Sequence, residues 1–254
     1  MREAMQQEEE AVSAAYAIAT HLRGVEVLVN SILVEEGRND FTARHAAMAL
    51  AVVEPSLVSE DVCKRLTNAL ASHPVNEVRQ DVAFVLGEWA VGFLSPQTHT
   101  TVSSQTPVYA LITATDPEVE LDADVRSVAL RSLGHWISST LLPTGQATDA
   151  ANAIASAVEG LHQSTLEQEE MLPGERLETA TLSLLSAVKA VPISARARIV
   201  ESAAPVARFG EDRYARHWAL ETLRRTETVQ GLNAAMDAAL TTRWCPFTAI
   251  TSPF

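Results

Sequence analysis

Seven histidines and two cysteines are the residues of this chain best suited to hold a metal or attack a substrate, and their spacing argues against both. The histidines, His21, His45, His73, His99, His135, His162 and His217, never occur as H-x-x-x-H or H-E-x-x-H, the spacings that set two ligands on one helix face. Cys63 and Cys245 lie far apart and form neither a disulfide framework nor a metal-ligand pair, so both read as buried, reduced thiols. The chain has no G-x-S-x-G elbow, no P-loop and no G-x-G-x-x-G turn. No catalytic residue, metal or cofactor is expected.

Net charge narrows the partners. At −13 the chain would repel nucleic acid, which requires a basic footprint to replace phosphate counterions, so direct nucleic-acid binding is disfavoured. Basic residues are 17 arginines against Lys64 and Lys189 alone, a bias that fits a high-GC genome. The segment MREAMQQEEE is acidic where a signal peptide is basic and then apolar, and no apolar run approaches the ~18 residues that span a bilayer. A soluble, cytoplasmic protein is the expectation.

The elements that would carry a site are helical. Ala, Leu and Val supply most of the apolar 47 %, while aromatics are 5 %, which favours closely packed helices over a sheet sandwich. Residues 78–89, VRQDVAFVLGEW, and 125–136, VRSVALRSLGHW, share Val, Arg, Leu, Gly and Trp without a gap at an offset of 47. Fainter copies place Arg44, Ala47 and Ala51, then Arg216, Ala219 and Leu223, at the same spacing; a degenerate one surrounds Leu177, Ala180 and Leu184. The positions before, three after and seven after the arginine share one face of a 3.6-residue helix and must be apolar, with the small residue admitting a close neighbour. Trp89 and Trp136 fall on that core stripe. Steps of 35 to 51 residues between copies match a two-helix unit.

The spelling V-R-x-x-A-x-x-x-L-G resembles the second helix of HEAT and HEAT-like (phycobilisome-lyase-type) repeats over roughly residues 39–226, most strongly at 78–89 and 125–136, and poorly at 173–190. The resemblance implies an all-α fold, an α-α superhelix or HEAT-type solenoid of about five helical pairs, forming one domain over 1–254. It also implies that each repeat arginine meets an acidic group near the start of a second helix, with Asp122, Asp124, Glu211 and Asp212 placed for that role. Di-metal hydroxylases built on such repeats use His-Glu dipeptides, and this chain has none.

Helices are expected at about 8–35 (a pair), from Asn39 or Asp40 to 53, at 59–72, 75–92, 122–140, 147–168, 174–190, 194–208, 211–226 and 228–242. A surface loop is expected at 95–107, and residues 244–254, WCPFTAITSPF, as an irregular tail folding back over the last repeat.

In this repeat type the second helices line the concave side. The stripe one, five and nine residues after each arginine then reads His45, Ala49, Val53; Gln80, Phe84, Glu88; Ser127, Arg131, His135; and His217, Glu221, Arg225. From it Val53, Phe84, Glu88, Arg131, His135 and Arg225 are the candidate partner-binding residues. Phe84 beside Val53 would anchor a partner helix or peptide. The segment 194–243 holds eight arginines against six acids and would suit an acidic partner. The function expected is a non-catalytic scaffold recognising a protein or peptide partner. The alternatives are a structural subunit of a larger assembly that uses its ends, and an enzyme of the HEAT-like lyase or DNA glycosylase type.

Overall fold

Four helix starts are written into the sequence as side-chain caps. Asn39 accepts the N–H of Thr42 at 3.1 Å, Ser59 that of Val62 at 3.1 Å, Asp122 those of Asp124 and Val125, and Asp212 that of Ala215. Each satisfies a backbone donor that the first helical turn leaves unpaired. The structure, a computed structural model, describes residues 12–34, 37, 39–93, 105–139, 142–167 and 174–241. Among them every regular element is a helix.

Chain contacts gather the protein into two compact units, Met1–Leu142 and Pro143–Phe254, where the sequence suggested one domain. In the first unit a short helix at 12–18 precedes α1 (Leu22–Leu33), α2 (Asp40–Ala51), α3 (Glu60–Ser72), α4 (Asn76–Phe93), α5 (Gln105–Thr113) and α6 (Ala123–Ser138). Helices α1/α2, α3/α4 and α5/α6 pack as pairs. Successive first members adjoin one another, as do successive second members, giving a first layer α1-α3-α5 and a second layer α2-α4-α6. The second unit repeats the scheme with α7 (Thr144–Glu167), α8 (Gly174–Ala187), α9 (Arg196–Phe209), α10 (Arg213–Arg225) and α11 (Val229–Thr241). Here α7/α8 and α9/α10 are pairs, α8 adjoins α10, and α11 lies against both α9 and α10.

One helix was not foreseen. Residues 105–107 belong to α5 instead of the loop expected at 95–107, and the rest of that loop lies outside the described residues, as do the tail 244–254 and Cys245. The nine residues of α5 read as an apolar run too short to separate from a strand by periodicity. Pro107 sits in its first turn, where a missing N–H breaks no helical bond.

Close helix approach defines the second layer of the first unit. The Trp89 indole N–H donates to the carbonyl of Leu50 at 2.9 Å, and that of Trp136 to Leu86 at 2.7 Å. The Ser132 hydroxyl donates to the carbonyl of Ala83 at 2.8 Å. Both indoles are buried, as their place on the core stripe implies. The accepting carbonyls are helical and use their second lone pair. Gly87 permits the approach: a Cβ there would stand 2.2 Å from Ser132 Oγ and 2.8 Å from Ser132 Cα.

Two of the repeat arginines find carboxylates other than the expected ones, and a third finds a backbone carbonyl. Arg44 pairs with buried Asp81 on α4 at 2.8 Å. Arg79 makes a two-point pair with buried Glu120, at 2.7 and 2.9 Å, and also donates to the carbonyl of His73. Arg126 donates to the backbone carbonyl of Glu120. Asp122 and Asp212 instead cap their own helices; Asp122 also accepts from the Asn76 amide at 2.8 Å. A cap must turn its carboxylate toward its own helix's N–H groups, which leaves the arginine to a neighbouring acid.

Two outcomes test these contacts. Gly87→Ala should destabilise the protein by about 1–3 kcal/mol in urea unfolding, because the added carbon meets backbone as well as side chain. Asp122 supplies the second. Burial opposes its ionisation, but the N–H of Val125, the Asn76 amide, the N–H of Asp124 and nearby Arg79 outweigh it and hold the carboxyl below the usual aspartate range. A depressed folded-state value means the stabilisation is complete above the unfolded pKa of about 3.9 and is lost as pH falls through the folded value. The stability difference between wild type and Asp122→Ala should therefore be constant near neutrality and shrink on acidification below about pH 4.

Candidate functional site on the second-layer helices

The core decides which residues of α4 and α6 can be reached. On α4, Val78, Val82, Val85, Leu86 and Trp89 are buried, leaving Gln80, Phe84 and Glu88 half-buried along one stripe. On α6, Val125, Ala129, Leu133, Trp136 and Ile137 are buried, while Arg131 and His135 are exposed. Residues four apart lie above one another on a helix, so α4 carries a row of three and α6 an exposed pair. The structure joins the rows at one point: His135 Nδ1 lies 3.2 Å from Glu88 Oε1. Arg131 has no ion-pair partner among the described residues.

Val53 is corrected. It is 4 % exposed, and Ala49 beside it is fully buried, so neither can meet a partner. The reachable row on α2 is Phe41, His45, Met48 and Val52, one residue out of register with the expected stripe. His45 is turned onto its own helix, with Nδ1 2.8 Å from the Phe41 carbonyl and its ring 4.1 Å from the Phe41 ring.

Arg225 lies in the second unit, in the last turn of α10, where a cation complements the helix dipole. Its Nε is 3.6 Å from Glu221, which Arg224 also engages at 2.5 Å, so two arginines share this carboxylate. His217 on the same helix stacks at 4.7 Å on Trp218. Burial lowers its imidazole pKa; Glu221 opposes that shift and Arg224 reinforces it.

Three polar side chains escaped sequence reasoning. Asp81 and Glu120 are acids inside or just ahead of apolar-periodic stretches and carried no signal of burial. Arg196 is buried at the start of α9, where it donates to the carbonyls of Val191 (3.0 Å) and Thr226 (2.8 Å) and so closes the end of α10. Cys63 is buried as expected, and desolvation, with Glu60 adding, pushes its thiol up to about 11, which removes it as a nucleophile. Among the described residues no three His, Cys, Asp or Glu side chains come together as metal ligands, and no helix is long and apolar enough to cross a membrane.

The architecture is therefore that of an all-helical protein built from paired helices. No family model matches the chain, and no curated protein matches it. Among solved structures, the crystal structure of an engineered protein from the Northeast Structural Genomics Consortium is similar, with a TM-score of 0.51 at 17 % identity over 87 % of this chain and 92 % of that one. A likeness at that identity shows a shared helical fold alone.

The two glutamates of the first unit should separate structure from surface. Glu120→Ala strands the Arg79 guanidinium and should cost about 3 kcal/mol in chemical unfolding. Glu88→Ala breaks a half-exposed pair and should shift stability by less than about 1 kcal/mol.

Proposed function

We propose that the protein is a HEAT-type repeat scaffold that binds a protein or peptide partner on the second-layer face of its first unit, without bond chemistry. The recurring arginine, small-residue and apolar spelling supports the repeat assignment, as do the two-layer pairing within each unit and the indole-to-carbonyl bonds between successive second helices. The observation that carries the binding reading is the side-by-side display of half-buried Phe84, the Glu88–His135 pair and exposed Arg131 on two locked helices. Aromatic and arginine side chains on a rigid surface supply most of the energy of typical protein interfaces. An apolar side chain over Phe84 and a carboxylate for Arg131 define the partner chemistry. Arg225 lies in the second unit beside Glu221 and does not enter the proposal.

The test is affinity capture with the intact chain and with Phe84→Ala, Arg131→Glu, both first checked for equal helical content and unfolding midpoint. A captured protein whose affinity falls more than about tenfold for the double variant, at least ~1.4 kcal/mol, supports the face. Identical capture by both proteins removes it.

A further inference from the structure

Helix α11 is apolar on two faces. Its inner face is built of small residues, Gly231, Ala235 and Ala238, all buried. Gly231 is required there, since a Cβ would lie 1.9 Å from Thr226 Oγ1 and 2.7 Å from the Leu223 carbonyl. The outer face carries Val229, Leu232, Met236 and Leu240, spaced 3, 4 and 4 apart and therefore in one row, with exposures of 75, 51, 61 and 82 %. A surface helix ordinarily turns a polar face outward. Here the polar residues flank the row instead of replacing it, and Asp237 is held by Arg208 at 3.0 Å.

We propose that this outer face is the docking site for residues 244–254 of the same chain. That segment, WCPFTAITSPF, starts three residues after α11 and contains no charged side chain. Its apolar residues Trp244, Phe247, Ile250 and Phe254 are spaced to meet a row of four. Pro246 cannot donate an N–H to a continuing helix and disfavours helical backbone at the residue before it. The reach suffices. The row from Val229 to Leu240 rises about 17 Å at 1.5 Å per residue, while residues 247–254 extend to roughly 23 Å. A tethered segment acts at an effective concentration near ~1 mM, well above any second copy in dilute solution. A row of four side chains is also smaller than the about 800 Å² per partner that stable dimers bury.

Methionine oxidation of the full-length protein by hydrogen peroxide, followed by peptide mass spectrometry, tests the proposal, because sulfoxide formation tracks solvent access to the thioether. Met48, 41 % exposed on α2, is the internal reference for Met236, 61 % exposed on a bare α11. Met236 should oxidise roughly fivefold more slowly than Met48 at every protein concentration, and Trp244→Ser, Phe247→Ser, Ile250→Ser should abolish that protection. Unchanged helical content of the triple variant checks that the fold is retained. Oxidation of Met236 as fast as Met48 in the wild type overturns the proposal. So does protection that survives in the triple variant, and protection that grows with concentration assigns the face to a second copy.

Discussion

Everything on the second layer of the first unit depends on how closely α4 and α6 approach. Gly87 removes the one side chain that would hold them apart, and Ser132 and Trp136 then reach backbone carbonyls across the gap. An amide-quality hydrogen bond contributes about 1 kcal/mol net, but a buried indole N–H left without an acceptor costs more than that. The constraint is therefore mainly one of register. A small axial slip of α6 would orphan the Trp136 donor and press Ser132 into α4 at once. The shared L-G-x-W spelling of the two strongest repeats is the sequence trace of this requirement, although only Gly87 is seen to meet the neighbour that makes a glycine necessary.

That locked register fixes where the half-buried and exposed side chains of the two helices stand. Phe84 and Glu88 stand two and one positions from buried Leu86 and Gly87, and Arg131 and His135 are each one position from buried Ser132 and Gly134. Their positions inherit the precision of the core contact. The Glu88–His135 contact sits where the two rows converge.

The fold was largely legible because its signals are local. Helix starts at Asn39 and Ser59, the apolar periodicity, and prolines between periodic stretches placed most helices to within a few residues. The candidate site was legible only where the core stripe is unambiguous. On α4 and α6, Val, Leu, Ile and Trp mark the inner face, and Phe84, Glu88, Arg131 and His135 follow from it. On α2 the interior is Ala43, Ala46, Ala47, Ala49 and Leu50, a broad band of small residues whose centre periodicity does not define. The expected row shifted by one residue, and Val53 went from surface to core. Helix α5 was missed for the related reason that nine residues hold too few turns to show a period.

The arginines divide by what their heads meet. Arg79 with Glu120, Arg44 with Asp81, and Arg196 with two backbone carbonyls are arginines whose heads are fixed by acceptors from other parts of the chain. Arginine suits this role because its planar fork satisfies two acceptors in one geometry and keeps its charge when partly desolvated, which lysine does less well. Here the arginine bias has structural value, whatever its genomic origin. Arg131 is the contrast: the same side chain, on a helix of the same layer, exposed one turn before His135 and with no ion-pair partner among the described residues.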